Sequence, residues 1–532
     1  MSIYCKLSIS LLSGLLALGL MAGNGQGKPC DPAGGHIDSV TAAGTDACAD
    51  LGPARSQSGW WATPSGFAAP AQLLAQSSGS APTEPAVPAV PVPSKINFSN
   101  IQYTRPSTSY SVASSRVVAA APAVKKYVLP NGMTVLGVEA PDENLIVLDY
   151  LVHCGVSQEG SNLQGYNQLI LKMLNNRISQ DEAGDDVVEI TGSLVDDGAS
   201  QDFSRLSITA TPVNAMFMLR RLCKAVANPN FTQAELDKAR NQTLNSMGDS
   251  NGASGQLYDI FLSAFYRVHP YKRTPGCVPV ILNRATPEEV SRYYQRNFTP
   301  DRTVLTAAGR MNREKIFDTV KEYCSDMLAA KERLIEVQWE PKAVEREIYL
   351  YSQSELAWVL LGYQAPSLQS SDFAAMQVIY GALGAGLSSR LWTQLRENRG
   401  LAYEVGARYP ELMGPSHLLC HVITKPGSVG VARRRMLAEI DRLKKEGMSE
   451  LELSETKEKL LGMYLLEREG LSGRALHLGM AELSGAGFES DARRLQELQA
   501  VTTDDVKRVA SRYLVEPTLI MARPGGRFYL DW

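Results

Sequence analysis

Phe231-Thr232-Gln233-Ala234-Glu235-Leu236 and Met448-Ser449-Glu450-Leu451-Glu452-Leu453 spell one signal twice. Each sets a hydroxyl three residues ahead of a glutamate at the start of an apolar-periodic stretch. That is the capping box, in which hydroxyl and carboxylate satisfy each other's backbone donors at a helix N-terminus. A second pair follows: Thr286-Pro287-Glu288-Glu289-Val290-Ser291-Arg292 returns as Thr502-Thr503-Asp504-Asp505-Val506-Lys507-Arg508, and Arg296 returns as Arg512. The offsets are 217 residues (232 to 449) and 216 residues (286 to 502). Shared capping chemistry produces one such match by chance; two at nearly one offset indicate a duplicated unit. The expected halves are 126–327 and 345–526, with a charged joint at 328–344. Each mixes strands with long amphipathic helices, so the fold class is α+β.

Outward from the repeat, the 532-residue chain is 44% hydrophobic and 20% charged, with formal net charge -3. It is too long for one core, and more than one domain is expected. Near-neutral charge without a basic block excludes a dedicated nucleic-acid binder. Lys6, the apolar run Leu7–Met21 and Ala22-Gly23-Asn24-Gly25 read as a secretory signal peptide over 1–25. The run is shorter than the roughly 20 residues a spanning helix needs. A mitochondrial presequence is Arg-rich, and no Arg precedes Arg55. No cysteine directly follows the run, which argues against a lipoprotein. The expectation is export to the periplasm or beyond, with no membrane span after signal removal.

Residues 26–125, rich in Ala, Pro, Ser and Gly and densest in proline over 82–93, read as a disordered leader. Trp60-Trp61 is a weak candidate for a docking patch. Of eight cysteines, Cys30 and Cys48 are placed to pair after export, and Cys154, Cys223, Cys277, Cys324 and Cys420 lack metal-ligand spacing. Folded sequence is expected from Lys126, where Tyr127–Leu136 reads as strand, Asn-Gly turn, strand.

The chemistry concentrates in Gly386-Leu387-Ser388-Ser389-Arg390-Leu391-Trp392-Thr393-Gln394-Leu395-Arg396-Glu397-Asn398-Arg399-Gly400-Leu401-Ala402-Tyr403-Glu404-Val405. Leu387, Leu391 and Leu395 recur at helical spacing and predict one buried stripe, with Ser388 or Ser389 capping the start. Gly400 sits where a helix stops in the left-handed conformation. The next five residues alternate like a strand, with Tyr403 sharing a face with Leu401 and Val405. This geometry brings Arg396 toward Tyr403, two donors suited to a peptide carbonyl or developing oxyanion. The bland alternative is an arginine at a helix C-terminus and a packing tyrosine. Gly381–Gly386 lacks the Gly-Lys-Ser/Thr ending of a phosphate loop and is not read as one.

This stretch resembles the C-terminal half of the pitrilysin/insulinase family of zinc metallopeptidases, in the processing-peptidase-like branch. There a Gly-rich segment and a Ser-Arg-Leu helix precede an Arg and a Tyr seven residues apart that contact the substrate backbone, the spacing of Arg396 and Tyr403. The family's N-terminal half opens with a hairpin like Leu129-Pro130-Asn131-Gly132. The resemblance implies two homologous α/β-sandwich-like halves forming a bilobed clamshell.

Active members carry His-x-x-Glu-His on a helix of the N-terminal half, with a carboxylate downstream. Here Gly155-Val156-Ser157-Gln158-Glu159 and Gly165-Tyr166-Asn167 resemble the family's approach to that helix, but Gln168 and Lys172 stand at the histidines and Leu171 at the general base. The distal carboxylates fall on Ala239 and Ser246. Lysine repels a cation and leucine takes no proton from water. The six histidines offer no replacement: His417 and His421 lie in a strand pattern, and His153 with Cys154 is at most a chance site. The expectation is a chain with no metal or cofactor of its own, inactive alone. In two-chain relatives one subunit carries zinc and the other supplies the substrate-binding pair. By resemblance this chain is the non-catalytic, substrate-binding subunit of an exported heterodimeric zinc endopeptidase acting on peptides, its partner a zinc-bearing sibling. The alternative is a structural or peptide-binding homologue with no peptidase partner.

Overall fold

The computed structural model describes residues 123–531, apart from 182, 247–252, 333, 335–345, 353 and 526–529. The signal peptide, nearly all of the leader with Cys30, Cys48 and Trp60-Trp61, and most of the 328–344 joint lie outside the described residues.

Two six-stranded sheets share the connectivity of five strands and differ at one edge, where the first half supplies its first strand and the second half its last. The first contains β1 (Val124–Val128), β2 (Thr134–Glu139), β3 (Ile146–Val152), β4 (Leu194–Ala199), β5 (Ser204–Ala210) and β6 (Thr303–Gly309), in the order β1-β2-β6-β3-β5-β4. The second contains β7 (Arg346–Ser352), β8 (Ala357–Ala365), β9 (Ala402–Arg408), β10 (Ser416–Thr424), β11 (Thr518–Pro524) and β12 (Leu530–Asp531), in the order β12-β7-β11-β8-β10-β9. Over the five shared strands the sheets correspond position for position, down to the parallel pairs β2–β6 and β7–β11 within otherwise antiparallel ladders. β4 and β9 are equivalent edge strands.

Both sequence repeats start corresponding helices. Thr232 and Glu235 close a capping box ahead of the Gln233–Ser246 helix, and the Ser449 side chain accepts from the Glu452 amide ahead of Glu450–Glu467. Thr286 with Glu289 and Thr502 with Asp505 form two further boxes. The first hairpin forms with Gly132 at φ +91°, which only glycine adopts cheaply. Its strand begins at Val124, two residues before Lys126. At the other end, β12 pairs with β7 and carries the second sheet past residue 526.

One face of each sheet is covered by its own half. Leu148, Tyr150, Leu206 and Ile208 meet the Tyr166–Ser179 and Pro212–Ala227 helices; Val359, Leu361, Leu418 and Cys420 meet the Phe373–Gly384 and Val429–Glu446 helices. The opposite face of each is covered by a helix from the other half. Leu257, Phe261, Leu262 and Phe265 of the Ala253–Phe265 helix bury Trp358, Leu360, Leu419 and Ile520. Leu471, Ala475 and Leu478 of the Leu471–Leu483 helix bury Leu136, Val138, Val147 and Val304. Glycines allow the close approach: a Cβ on Gly362 would stand 2.1 Å from the Phe261 ring, and one on Gly479 would stand 2.5 Å from Leu151.

Polar groups tie the same junctions. Arg205, paired with buried Asp149 at 2.6 Å, donates to Ser472 at 3.1 Å. Asp202 accepts from the Tyr271 hydroxyl and from the Met413 amide at 2.8 Å, while the Gly414 amide donates to the Tyr271 oxygen at 3.0 Å. Each fully buried Leu or Phe contributes about 1.5–3 kcal/mol, so the exchanged helices hold the halves together.

Candidate functional site

In the N-terminal half, the Tyr166–Ser179 helix, which by the resemblance would bear the metal positions, is held at its start. Gly165 caps it at φ +100°, where a Cβ would meet Cys277 at 2.6 Å. The Glu159 carboxylate accepts from the amides of Gly165 (3.2 Å) and Asn167 (2.9 Å), filling donors a helix leaves free. Burial pushes its pKa up to about 7 against the pull of those two bonds.

The side chains that follow carry packing and one ion pair. Leu171 is buried in the first core with Leu169, Ile170 and Leu174, and Ala239 packs into that core from the Gln233–Ser246 helix. Gln168 is half-buried. Lys172 Nζ lies 2.7 Å from Asp197 Oδ1 on edge strand β4, and Asn175 donates to the same oxygen at 2.5 Å. Ser246, exposed at its helix end, bonds the Thr243 carbonyl at 2.8 Å. Zinc does not fit this donor set: two positions offer only hydrocarbon, one an ammonium, and two neutral oxygen-bearing side chains.

Among the described residues no group of three or more His, Cys, Asp or Glu is placed to hold a metal ion. His417 and His421 lie in β10 as expected, facing the exchanged helix. His417 sits between the hydroxyls of Tyr258 (3.1 Å) and Tyr266 (3.0 Å), and burial pushes its pKa down to about 3. His421 lies 3.4 Å from Glu404. Burial and Arg302 hold His153 at about 4.

In the C-terminal half, Leu391 and Leu395 are buried but Leu387 is 65% exposed, contrary to the three-leucine stripe. Gly386, at φ +79°, turns the chain before the helix begins at Arg390, so Leu387 precedes it. Ser389 occupies the cap position without its hydroxyl closing the cap. The helix then widens into a π turn, with the Asn398 amide bonding the Thr393 carbonyl at 2.9 Å. It stops at Gly400 in the left-handed conformation, and the Leu401 amide reaches back to the Leu395 carbonyl at 2.8 Å.

Arg396 and Tyr403 do come together, through the backbone: the guanidinium donates to the Tyr403 carbonyl. It also lies over the Trp392 ring, 4.4 Å from its centroid. Tyr403 does not share the buried face of Val405. Ala402 pairs with Thr424 and Glu404 with Ile423, so Tyr403 is the extra residue of a β-bulge on an edge strand, and its ring is exposed. Bulges at sheet edges re-aim side chains in this way. Of the other arginines, Arg390 is bound at 2.6 Å by both Glu452 oxygens, and Arg399 is tied back to Gln394. The Trp392 stack and the Glu404–His421 contact escaped sequence reasoning. The aromatic four residues before Arg396 was the signal available for the first.

Residues 284–460 match the family described as Peptidase M16 inactive domain. The chain is 23% identical to the zinc protease PqqE of Helicobacter pylori, over 74% of this chain and 92% of that protein. It is 22% identical to the uncharacterized zinc protease YmxG of Bacillus subtilis, over 76% and 99%. The fold matches the crystal structure of a protease from Helicobacter pylori at TM-score 0.68 and 20% identity, covering 76% of this chain and all of that one. It also matches a peptidase M16 inactive domain structure from Pseudomonas fluorescens at TM-score 0.67 and 20% identity, over 76% and 99%. The fold is that of the M16-type peptidase structures. The matched segment and these relatives agree with the resemblance to the pitrilysin/insulinase family that the sequence motifs carry.

Proposed function

We propose that this chain is the non-catalytic, substrate-holding subunit of an exported two-chain metalloendopeptidase acting on peptides. Zinc is supplied by a sibling subunit. The observation that carries the reading is the unequal state of the two halves. The N-terminal metal positions are filled by core hydrocarbon and by the Lys172–Asp197 ion pair. The C-terminal pair is adjacent and exposed at the open edge of β9. An exposed guanidinium and phenol there can donate to a peptide carbonyl lying along that edge.

The second reading, a peptide-binding or structural homologue without a peptidase partner, draws on the Arg396 bond to its own chain. Mixing this chain with a zinc-bearing sibling from the same source separates the two. The subunit reading expects peptide cleavage that neither protein shows alone. A sibling whose rate is the same with and without this chain would leave the second reading.

A further inference from the structure

Arg396 lies in the π turn that the Asn398 amide closes onto the Thr393 carbonyl. Side chains four apart on a helix are neighbours on one face. Trp392 and Arg396 are four apart at this turn, and the guanidinium carbon sits 4.4 Å from the ring centroid. The indole is itself anchored, because Trp392 is half-buried against the C-terminal core. From the other side the guanidinium is fixed by the Tyr403 carbonyl, at the bulge. Arg399, the nearest alternative cation on this segment, is occupied with Gln394 and takes no part.

An exposed arginine otherwise samples many rotamers, and ordering it on binding costs affinity. Stacking on a fixed indole removes much of that cost in advance, and the attraction of cation and ring face adds to it.

We propose that Trp392 is a positioning residue for Arg396. Its ring face and the Tyr403 carbonyl hold the guanidinium flat at the edge of β9, leaving its other N–H groups to meet a peptide carbonyl. This rests on the substrate-holding reading above for its consequence, and on the stack alone for its geometry. The role predicts a specific tolerance: a flat ring at position 392 suffices, and a side chain of similar bulk without one does not.

Two measurements on the full-length chain test it. The first is the Arg396 side-chain N–H resonance in the free protein. The indole ring current should shift it upfield in the wild type, less so but still upfield in Trp392→Phe, and not in Trp392→Leu. A resonance unchanged in Trp392→Leu would overturn the proposal whether or not any peptide binds. The second is fluorescence anisotropy with a fluorescein-labelled casein-derived peptide. Arg396→Ala and Trp392→Leu should each weaken binding between about threefold and tenfold, with Trp392→Phe close to wild type. The double variant Trp392→Leu/Arg396→Ala should bind no more weakly than Arg396→Ala. Additive losses would show that Trp392 acts on the peptide or the fold by itself, and would refute the positioning role. A wild-type chain that binds no peptide would count against the substrate-holding reading, while the resonance would still decide the geometry.

Discussion

Lys172 and Asp197 join the helix of the family's metal positions to the edge strand β4 by an ion pair of 2.7 Å. By the resemblance, Lys172 stands at a position that would carry a zinc ligand. Asn175 donates to the same carboxylate oxygen, so Asp197 keeps one partner if the lysine is lost. The lysine is about a third exposed, which limits the strength of the pair. Lys172→Ala should destabilise the chain by about 1 kcal/mol, and Lys172→Ala/Asp197→Ala by less than the sum of the single losses. Urea unfolding of the four proteins checks this. An additive double variant would mean that the two groups do not interact.

Restoring the ligands one helix at a time should fail. Gln168→His, Leu171→Glu and Lys172→His together rebuild the short motif but leave Ala239 and Ser246 without a carboxylate. Leu171→Glu also places a carboxylate among Leu169, Ile170 and Leu174, at a cost of several kcal/mol unless it is protonated. The triple variant should unfold at lower denaturant than the parent and hold well under one equivalent of zinc after dialysis. Stoichiometric zinc by elemental analysis would refute this.

Phe261 fills the space that Gly362 leaves open on β8. Gly362→Ala places a methyl 2.1 Å from that ring, in a helix–sheet contact between the halves. Overpacking of this kind costs about 1–3 kcal/mol. A fragment ending near residue 334 should expose the face of Leu136, Val138 and Val147 and bind a hydrophobic dye, and co-expression with the remainder should suppress the dye signal. A fragment that unfolds cooperatively and binds no dye would contradict the exchange of helices.

The Asp202–Tyr271 contact sets a pH dependence. Burial raises the Asp202 pKa to about 6, so the folded chain holds this proton more tightly than the unfolded chain does. Its stabilising effect is therefore full below about pH 4 and lost as pH rises to about 6, at most roughly 3 kcal/mol. His417, with its pKa lowered, has the opposite slope and loses stability as pH falls. The comparison is thus between wild type and Asp202→Asn: their stability difference should change between about pH 4 and about pH 6 and be flat above. A constant difference across that range would rule out a raised Asp202 pKa.

Local chemistry was the legible part of this fold. The capping hydroxyls at Thr232, Thr286, Ser449 and Thr502 and the left-handed stop at Gly400 depend on a few neighbouring residues, and each formed where its motif stood. Features that depend on distant partners were not legible. The outward turn of Tyr403 follows from the register of β9 against β10. The helix exchange requires knowing that each sheet's second face is left open by its own half. Arg390 shows the same limit: its two bonds to Glu452 are invisible in the motif, and they make it a structural residue.

The most direct test of the account is the peptide-cleavage rate of a zinc-bearing sibling mixed with this chain and three of its variants. Arg396→Ala and Tyr403→Phe should each lower the restored rate by about a hundredfold, the typical loss when one donor leaves a desolvated site, with assembly intact. Arg399→Ala, whose guanidinium serves only Gln394, should stay near wild type. Full activity in both Arg396→Ala and Tyr403→Phe, with assembly confirmed, would contradict the claim that this chain holds the substrate.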